Sequence, residues 1–181
     1  MTHAIELTVT QKRPLTPSSV ELTLAVPEEL QTNFAFKAGQ YLTLIQEIDH
    51  AEVRRSYSLC SAPSQNTWKV GIKKVSGGTF STWAHDVLKE GASLSVLAPQ
   101  GHFIISPSAE DQQHYLGFAA GSGITPIMGM IQEVMALAPL AKFTLVYANQ
   151  SPEEAMFLEE LKLLENNHPD RFKMILFYSR A

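Results

Sequence analysis

The sequence predicts two domains of different class, an antiparallel β-barrel or sandwich followed by an incomplete α/β half on a parallel sheet. Three observations predict it. Apolar and polar residues alternate with a period of two through the first half. Beyond about Ser106 short apolar runs alternate with helical periodicity instead. Finally, 45% of the 181 residues are apolar and only 18% charged, a composition that builds a core, in one domain or two small ones.

The alternation begins with Ile5, Leu7 and Val9 and resumes with Val20, Leu22, Leu24 and Val26. It recurs in Tyr41–Ile45, Trp68–Ile72 and Ser93–Val96, and Pro, Gly and Asn separate these runs as turn signals do. One helix interrupts them, because Phe80, Trp83, Ala84, Val87 and Leu88 share a helical face and Gly91 follows as a stop. In the second half Tyr115–Ala120 reads as a buried strand. A helix follows with Ile124, Ile127, Met128, Ile131, Val134 and Met135 on one face, then a strand at Phe143–Tyr147. Ser151-Pro152-Glu153-Glu154 has the form of a helix start, with a Ser cap, Pro in the first turn and Glu three residues after the cap. A third strand is expected at Phe172–Tyr178. Strand, helix, strand, helix, strand implies parallel pairing through right-handed crossovers. The expected boundaries are 1–106 for the barrel and 113–181 for the α/β part, with the polar, Pro107-containing segment Ser106–Gln113 between them. Three parallel strands are few for a nucleotide-binding half.

Several function classes are disfavoured at once. With 14 Lys and Arg against 18 Asp and Glu, the net charge is −4, and no basic run offers a footprint for nucleic acid or anionic lipid. Met1–Pro14 lacks the apolar stretch of a signal peptide, and glycines and Pro126 break the uncharged run 115–132, so a cytoplasmic chain outside any membrane is expected. Cys60 is the only cysteine, which excludes an internal disulfide, a cysteine-based zinc site and an iron–sulfur cluster held by this chain alone. The six histidines lack metal-like spacing, and no metal site is expected.

Three segments could carry chemistry. Gly121-Ser122-Gly123-Ile124-Thr125-Pro126 lies between a strand and a helix, where glycine backbone admits a ligand closely and free helix N–H groups favour a phosphate. It serves equally as a tight turn that needs glycine. No Lys-Ser/Thr pair follows, which excludes a P-loop. Ala120 and Ile124 stand where a hydrolase elbow around Ser122 would need glycine. Arg55 and Tyr57, two apart on one strand, share a face and suit a ligand with a flat ring and a phosphate; the plain alternative is an exposed arginine beside a core-edge ring. Gly78-Thr79-Phe80-Ser81 precedes the first helix, where Thr79 or Ser81 caps it or helps form a second anion site.

Taken in order, Arg55-Ser56-Tyr57-Ser58, Gly78-Thr79-Phe80-Ser81, Pro99-Gln100-Gly101-His102-Phe103 and Gly121–Pro126 resemble the ferredoxin–NADP⁺ reductase superfamily over essentially the whole chain. Phe36–Tyr41 and Arg55–Cys60 support the likeness. The resemblance implies a flavin-binding barrel followed by a nicotinamide-nucleotide domain, and hence an FAD-dependent NAD(P)H oxidoreductase. It would place Arg55 on the flavin phosphate, Tyr57 on the isoalloxazine and the Ser58 hydroxyl near flavin N5, with Tyr57 and Ser58 the catalytic pair. Gly78 and Ser81 would hold a pyrophosphate at the helix start, which favours FAD over FMN. Gly121, Gly123, Thr125 and Pro126 would line the nicotinamide site, and Ser179-Arg180 the adenosine end, with a lean toward NADPH. Hydride would pass from nicotinamide C4 to flavin N5, which requires stacked rings and excluded water. Similar proteins hand the electrons singly to an iron–sulfur domain and on to a monooxygenase.

This sequence departs from the family pattern at three points. Gln150 stands where relatives carry Arg, two further strands that would lie beside Tyr115–Ala120 are missing, and no iron–sulfur domain follows. The expectation is therefore the front portion of such a reductase. The alternatives are a flavin-binding fragment without hydride transfer, or a barrel-based interaction module without cofactor.

Overall fold

The computed structural model describes residues 3–180. Six antiparallel strands form the first sheet: β1 (Ile5–Thr16), β2 (Ser19–Ala25), β3 (Tyr41–Ile48), β4 (Ala51–Ser58), β5 (Trp68–Lys73) and β6 (Ser93–Gln100). Their order is β4-β3-β6-β1-β2-β5, and a bridge between Leu59 and Val70 draws the two outer strands together. The alternation read from sequence is the inside of this barrel: Leu7, Val9, Leu22, Leu42, Leu44, Val70, Ile72, Leu94 and Val96 are all buried in one core. Helix α1 (Thr79–Asp86) sits against it through Phe80 and Ala84. The β3–β4 hairpin turns on Asp49 and His50, both with positive φ, the geometry that matches the twist of the flanking strands.

The second half holds β7 (His114–Ala120), α2 (Ile124–Leu137), β8 (Lys142–Asn149), α3 (Leu158–Asn167) and β9 (Phe172–Tyr178). The strands run parallel in the order β7-β8-β9. Every residue assigned from sequence to the apolar face of α2 is buried, in a core shared with Leu145, Tyr147, Leu161 and Phe172. Two right-handed crossovers stepping in one direction put both helices on the same face of the sheet. The opposite face has no covering element among the described residues. It exposes Leu116, Phe118 and Phe177 by 60%, 69% and 57%, whereas parallel sheets ordinarily bury both faces.

One expected element starts elsewhere. Pro152–Glu154 forms only a single 3₁₀ turn, Ser151 makes no capping bond, and α3 begins at Leu158. The local helix-start signal loses to tertiary packing, because Ala155, Met156 and Phe157 are drawn into the core and Phe157 takes φ 60° to get there. Glu154 is diverted as well. Its Oε2 accepts from the Ser18 hydroxyl and from Lys73 Nζ, each at 2.8 Å, rather than turning back to cap its own turn.

The two halves are closely apposed. A Cβ on Gly129 of α2 would lie 2.7 Å from the Ser61 carbonyl oxygen, and one on Gly71 of β5 would lie 2.7 Å from Thr125 Cγ2, so glycine permits the approach at both places. The Glu133 carboxylate accepts from the Ser64 amide at 3.0 Å and its hydroxyl at 2.6 Å. Arg13 bridges Glu21 of β2 and Glu160 of α3.

Candidate functional site

Where the halves meet, a cleft of about 420 Å³ is lined by Arg55, Tyr57, Ser58, Gly78 and Ser81 from the barrel and by Ser122 and Thr125 from the other half. Strand β4 supplies the first three. In the antiparallel register Arg55 lies opposite Leu44 and Tyr57 opposite Leu42, so both project to the inner side of the sheet at its margin. Tyr57 is half-buried with its ring 5.6 Å from that of Phe80, and Phe80 in turn packs 5.5 Å from Trp83. Burial pushes the Tyr57 phenol up to about 12, against the opposing pull of Arg55, so it stays a neutral hydroxyl. Arg54 is tied to Glu52 at 2.7 Å, whereas Arg55 meets no carboxylate among the described residues and donates only to the Arg54 carbonyl. Arg55 is a cation at the cleft without a counter-ion.

The other wall is the start of α1. Gly78 occupies the cap position, and no side chain caps the first turn, so neither Thr79 nor Ser81 plays the capping role open to them from sequence. The buried Ser81 hydroxyl accepts instead from the Val75 amide at 3.2 Å, which leaves its proton available to a ligand. A Cβ at position 78 would lie 2.5 Å from Ser81 Oγ and fill the cradle between them. The Gly78 amide itself donates to the Val75 carbonyl at 2.9 Å. The first-turn amides that follow it, a helix start without acidic residues in that turn and one hydroxyl donor therefore make the receptacle suited to phosphate oxygens.

The glycine turn completes the site from the second half. Gly121–Gly123 is a 3₁₀ turn between β7 and α2. Gly121 takes φ 50°, the left-handed conformation that glycine accepts without strain. Gly123 has an ordinary φ of −61°, and a Cβ there would meet nothing within 4 Å, so no internal contact requires glycine at that position. The buried Thr125 hydroxyl donates to the Ser122 carbonyl at 3.1 Å, and Pro126 sits in the first turn of α2, where its missing N–H costs no bond. Beneath the turn the Tyr147 hydroxyl lies 3.2 Å from the Gly121 carbonyl and 3.3 Å from that of Met156, and burial pushes its phenol up to about 12.

Of the residues singled out in the sequence, Arg55, Tyr57, Ser58, Gly78, Ser81 and Thr125 line this one cleft, Gly121 and Gly123 belong to the adjoining turn, and Pro126 lies in the first turn of α2. Ser179 and Arg180 stand apart from the cleft lining. Their amides bond to the Asn149 and Gln150 carbonyls at 3.0 and 2.9 Å, which sets them at the carboxyl end of the sheet, the end that carries the glycine turn. Sequence reasoning missed Lys73, which lines the cleft with Gly71. The alternation of β5 was the available signal, since residues 71 and 73 share a face.

Comparison with known proteins decides the family. Residues 6–105 match the oxidoreductase FAD-binding domain. The chain belongs to the FAD-binding oxidoreductases. Residues 118–181 of this oxidoreductase match the oxidoreductase NAD-binding domain, so the expected resemblance to ferredoxin–NADP⁺ reductases holds, as do the FAD-binding and NAD-binding character of the two halves. A 1,2-phenylacetyl-CoA epoxidase subunit from Escherichia coli (strain K12) is 38% identical over 180 residues, 99% of this chain and 51% of that protein. The ferredoxin reductase component of 3-ketosteroid-9-alpha-monooxygenase from Rhodococcus rhodochrous is 36% identical over 175 residues, 96% of this chain and 49% of that protein. The chain thus spans about half the length of these curated relatives. Among solved structures, ferredoxin–NADP⁺ reductase from Plasmodium falciparum superposes with a TM-score of 0.83 at 18% identity, over 97% of this chain and 71% of that one. The cytochrome b5 reductase domain of Ulva prolifera nitrate reductase gives 0.82 at 20%, over 98% and 74%. Both share the fold of this FAD-binding oxidoreductase, barrel and parallel sheet alike. No helix among its described residues is long and apolar enough to cross a membrane.

Proposed function

We propose that this chain is the flavin- and nicotinamide-binding part of a reductase that takes electrons from NAD(P)H and passes them, through FAD, to an iron–sulfur or monooxygenase partner. One observation carries the reading: a single cleft draws an unpaired cation, an aromatic ring and an uncapped helix start from the barrel and hydroxyls from the glycine-turn half. Residues 1–106 are the proposed flavin part and 113–181 the nucleotide part. The cradle at Gly78, the free guanidinium of Arg55 and the half-buried Tyr57 ring fit an FAD molecule. FAD when bound supplies hydride acceptance and the release of electrons one at a time, which nicotinamide lacks.

The chain's own residues do the rest. Arg55 neutralises a flavin phosphate, and the first-turn amides of α1, reached over the bare Cα of Gly78, hold the pyrophosphate together with the Ser81 hydroxyl. Tyr57, backed by Phe80, offers its outer face for stacking and excludes water there. Ser58, the next residue on β4, lines the same cleft and would offer its hydroxyl to the flavin ring. Gly121, Gly123, Thr125 and Pro126 bring the nicotinamide nucleotide against the same cleft, and Ser179 with Arg180 receives its adenosine end, with the charge of Arg180 favouring NADPH.

Titration of the purified chain with FAD, followed by quenching of tryptophan fluorescence, tests the reading, since Trp83 packs on Phe80 beside Tyr57. Loss of ring stacking is worth about 1–3 kcal/mol, so Tyr57→Ala weakens FAD binding roughly fivefold to a hundredfold and Tyr57→Phe leaves it nearly unchanged. Arg55→Ala weakens FAD binding and makes it less sensitive to salt. Unchanged FAD affinity in both alanine variants refutes the site assignment. A second reading, flavin binding without hydride transfer, is favoured by the uncovered apolar face of the parallel sheet. Anaerobic NADPH or NADH separates the two, because rapid bleaching of the bound flavin excludes the second.

A further inference from the structure

Lys73 and Lys74, neighbours at the end of β5, point opposite ways. Lys74 Nζ pairs within the barrel with Asp86 at 2.6 Å. Lys73 lines the cleft, and its Nζ crosses to the Glu154 carboxylate of the other half at 2.8 Å. The same oxygen, Oε2, also accepts from the Ser18 hydroxyl at 2.8 Å, so one carboxylate fastens both β5 and the β1–β2 turn to the segment following β8. The lysine and glutamate side chains are only 25% and 30% exposed. The diversion of Glu154 into this contact accompanies the delayed start of α3. The cleft therefore has two cations of different standing: Arg55 has no carboxylate partner among the described residues, and Lys73 is already neutralised by a residue of the nucleotide half.

We infer that Glu154 is a positioning residue that holds Lys73 at the domain seam and competes for it with the pyrophosphate of a nucleotide entering the cleft. The inference rests on the flavin-nucleotide reading of the cleft. Two ligands present that chemistry at the seam, FAD from the barrel side and a nicotinamide dinucleotide from the side of Ser122 and Thr125. When a phosphate oxygen takes Lys73 Nζ, the Glu154 carboxylate keeps only its Ser18 partner, and the contact between the halves slackens at that point. Phosphate occupancy and the closeness of the two halves are in this way linked through one ammonium group, and the linkage is reciprocal.

Glu154→Gln keeps the shape of the side chain and an oxygen for the Ser18 hydroxyl, but removes the competing charge. The test measures FAD and riboflavin affinity by fluorescence titration, then ADP-ribose affinity of the FAD-loaded chain by difference absorbance. Expected is a roughly threefold to tenfold tightening of FAD or of ADP-ribose, the size of a partly screened charge contact. The ligand that tightens identifies the pyrophosphate concerned. Riboflavin, which lacks phosphate, is unaffected, and the salt dependence of the tightened ligand steepens. In a Lys73→Gln background the same glutamate substitution changes nothing, because the cation that mediates the effect is gone. A purely structural role for Glu154 would move riboflavin and FAD together. If the parent chain binds FAD and neither phosphate ligand responds to Glu154→Gln, or if riboflavin responds equally, the inference is overturned while the flavin reading stands. If the parent chain binds no FAD at all, the flavin reading fails and takes this inference with it.

Discussion

Gly129 puts two opposed effects on one atom. It lies in the interior of α2, where alanine is favoured over glycine by about 1 kcal/mol, so a helix face open to solvent would gain from Gly129→Ala. The structure predicts the opposite sign. The added Cβ would lie 2.7 Å from the Ser61 carbonyl oxygen and 3.2 Å from that of Leu59, and both are backbone atoms that cannot rotate away. Ordinary contact begins near 3.4 Å, so α2 must retreat from the barrel by about 0.7 Å. Overpacking costs about 1–3 kcal/mol, and against two backbone oxygens that cannot turn aside the upper part of that range, about 2–3 kcal/mol, applies. After the helical gain of about 1 kcal/mol, a net loss of about 1–2 kcal/mol is left. In a chain of this size that lowers the melting temperature by about 2–8 °C. Urea titration read by far-ultraviolet circular dichroism measures the loss. Gly123→Ala serves as the control, since a Cβ there meets nothing within 4 Å and its effect stays within about 0.5 kcal/mol. Under the proposed function the retreat also parts the glycine turn from the cleft, so reduction of bound flavin by nicotinamide is expected to slow by about tenfold or more while FAD affinity holds. A Gly129→Ala chain as stable as its parent, or more stable, would refute the close packing of α2 on residues 59–61.

Two other outcomes are expected. Burial lifts the Tyr147 phenol from its ordinary 10.0 to about 12. A group whose pKa is raised on folding contributes its full stability below its unfolded value, and loses it as the pH climbs from 10 to about 12. Melting temperature measured between pH 9 and 12 therefore falls less steeply in Tyr147→Phe than in the parent, and identical slopes would contradict the burial. On the uncovered sheet face, Phe118→Ser combined with Phe177→Ser reduces the binding of an apolar fluorescent dye and shifts stability by no more than about 0.5 kcal/mol per site, because the two rings are 69% and 57% exposed. Undiminished dye binding would place the accessible apolar surface elsewhere.

Local order alone decided a great deal here. Period-two alternation specified the barrel strands, and helical spacing specified the inward face of α2, since an apolar residue at the right interval has one favourable side to turn to. The glycine turn and the Arg55–Tyr57 pair were legible for a similar reason: their chemistry depends on neighbours one to five positions away. Distant partners were beyond such reading. Ser151-Pro152-Glu153-Glu154 has every local mark of a helix start, yet the burial of Met156 and Phe157 and the pull of Ser18 and Lys73 on Glu154 delay α3 to Leu158. Thr79 and Ser81 read as caps until the fold brings the Val75 amide to Ser81. Alternation at the end of β5 turns Lys73 and Lys74 to opposite sides, but only the fold gives Lys74 a partner in Asp86 of α1, and only the apposition of the halves gives Lys73 a carboxylate across the seam in Glu154. Sequence determined which residues form elements and which face of each is apolar, because those follow from backbone periodicity and solvation. Tertiary structure decided which charges meet across the seam, since an ion pair is set by the position of its two ends in space and not by their separation along the chain.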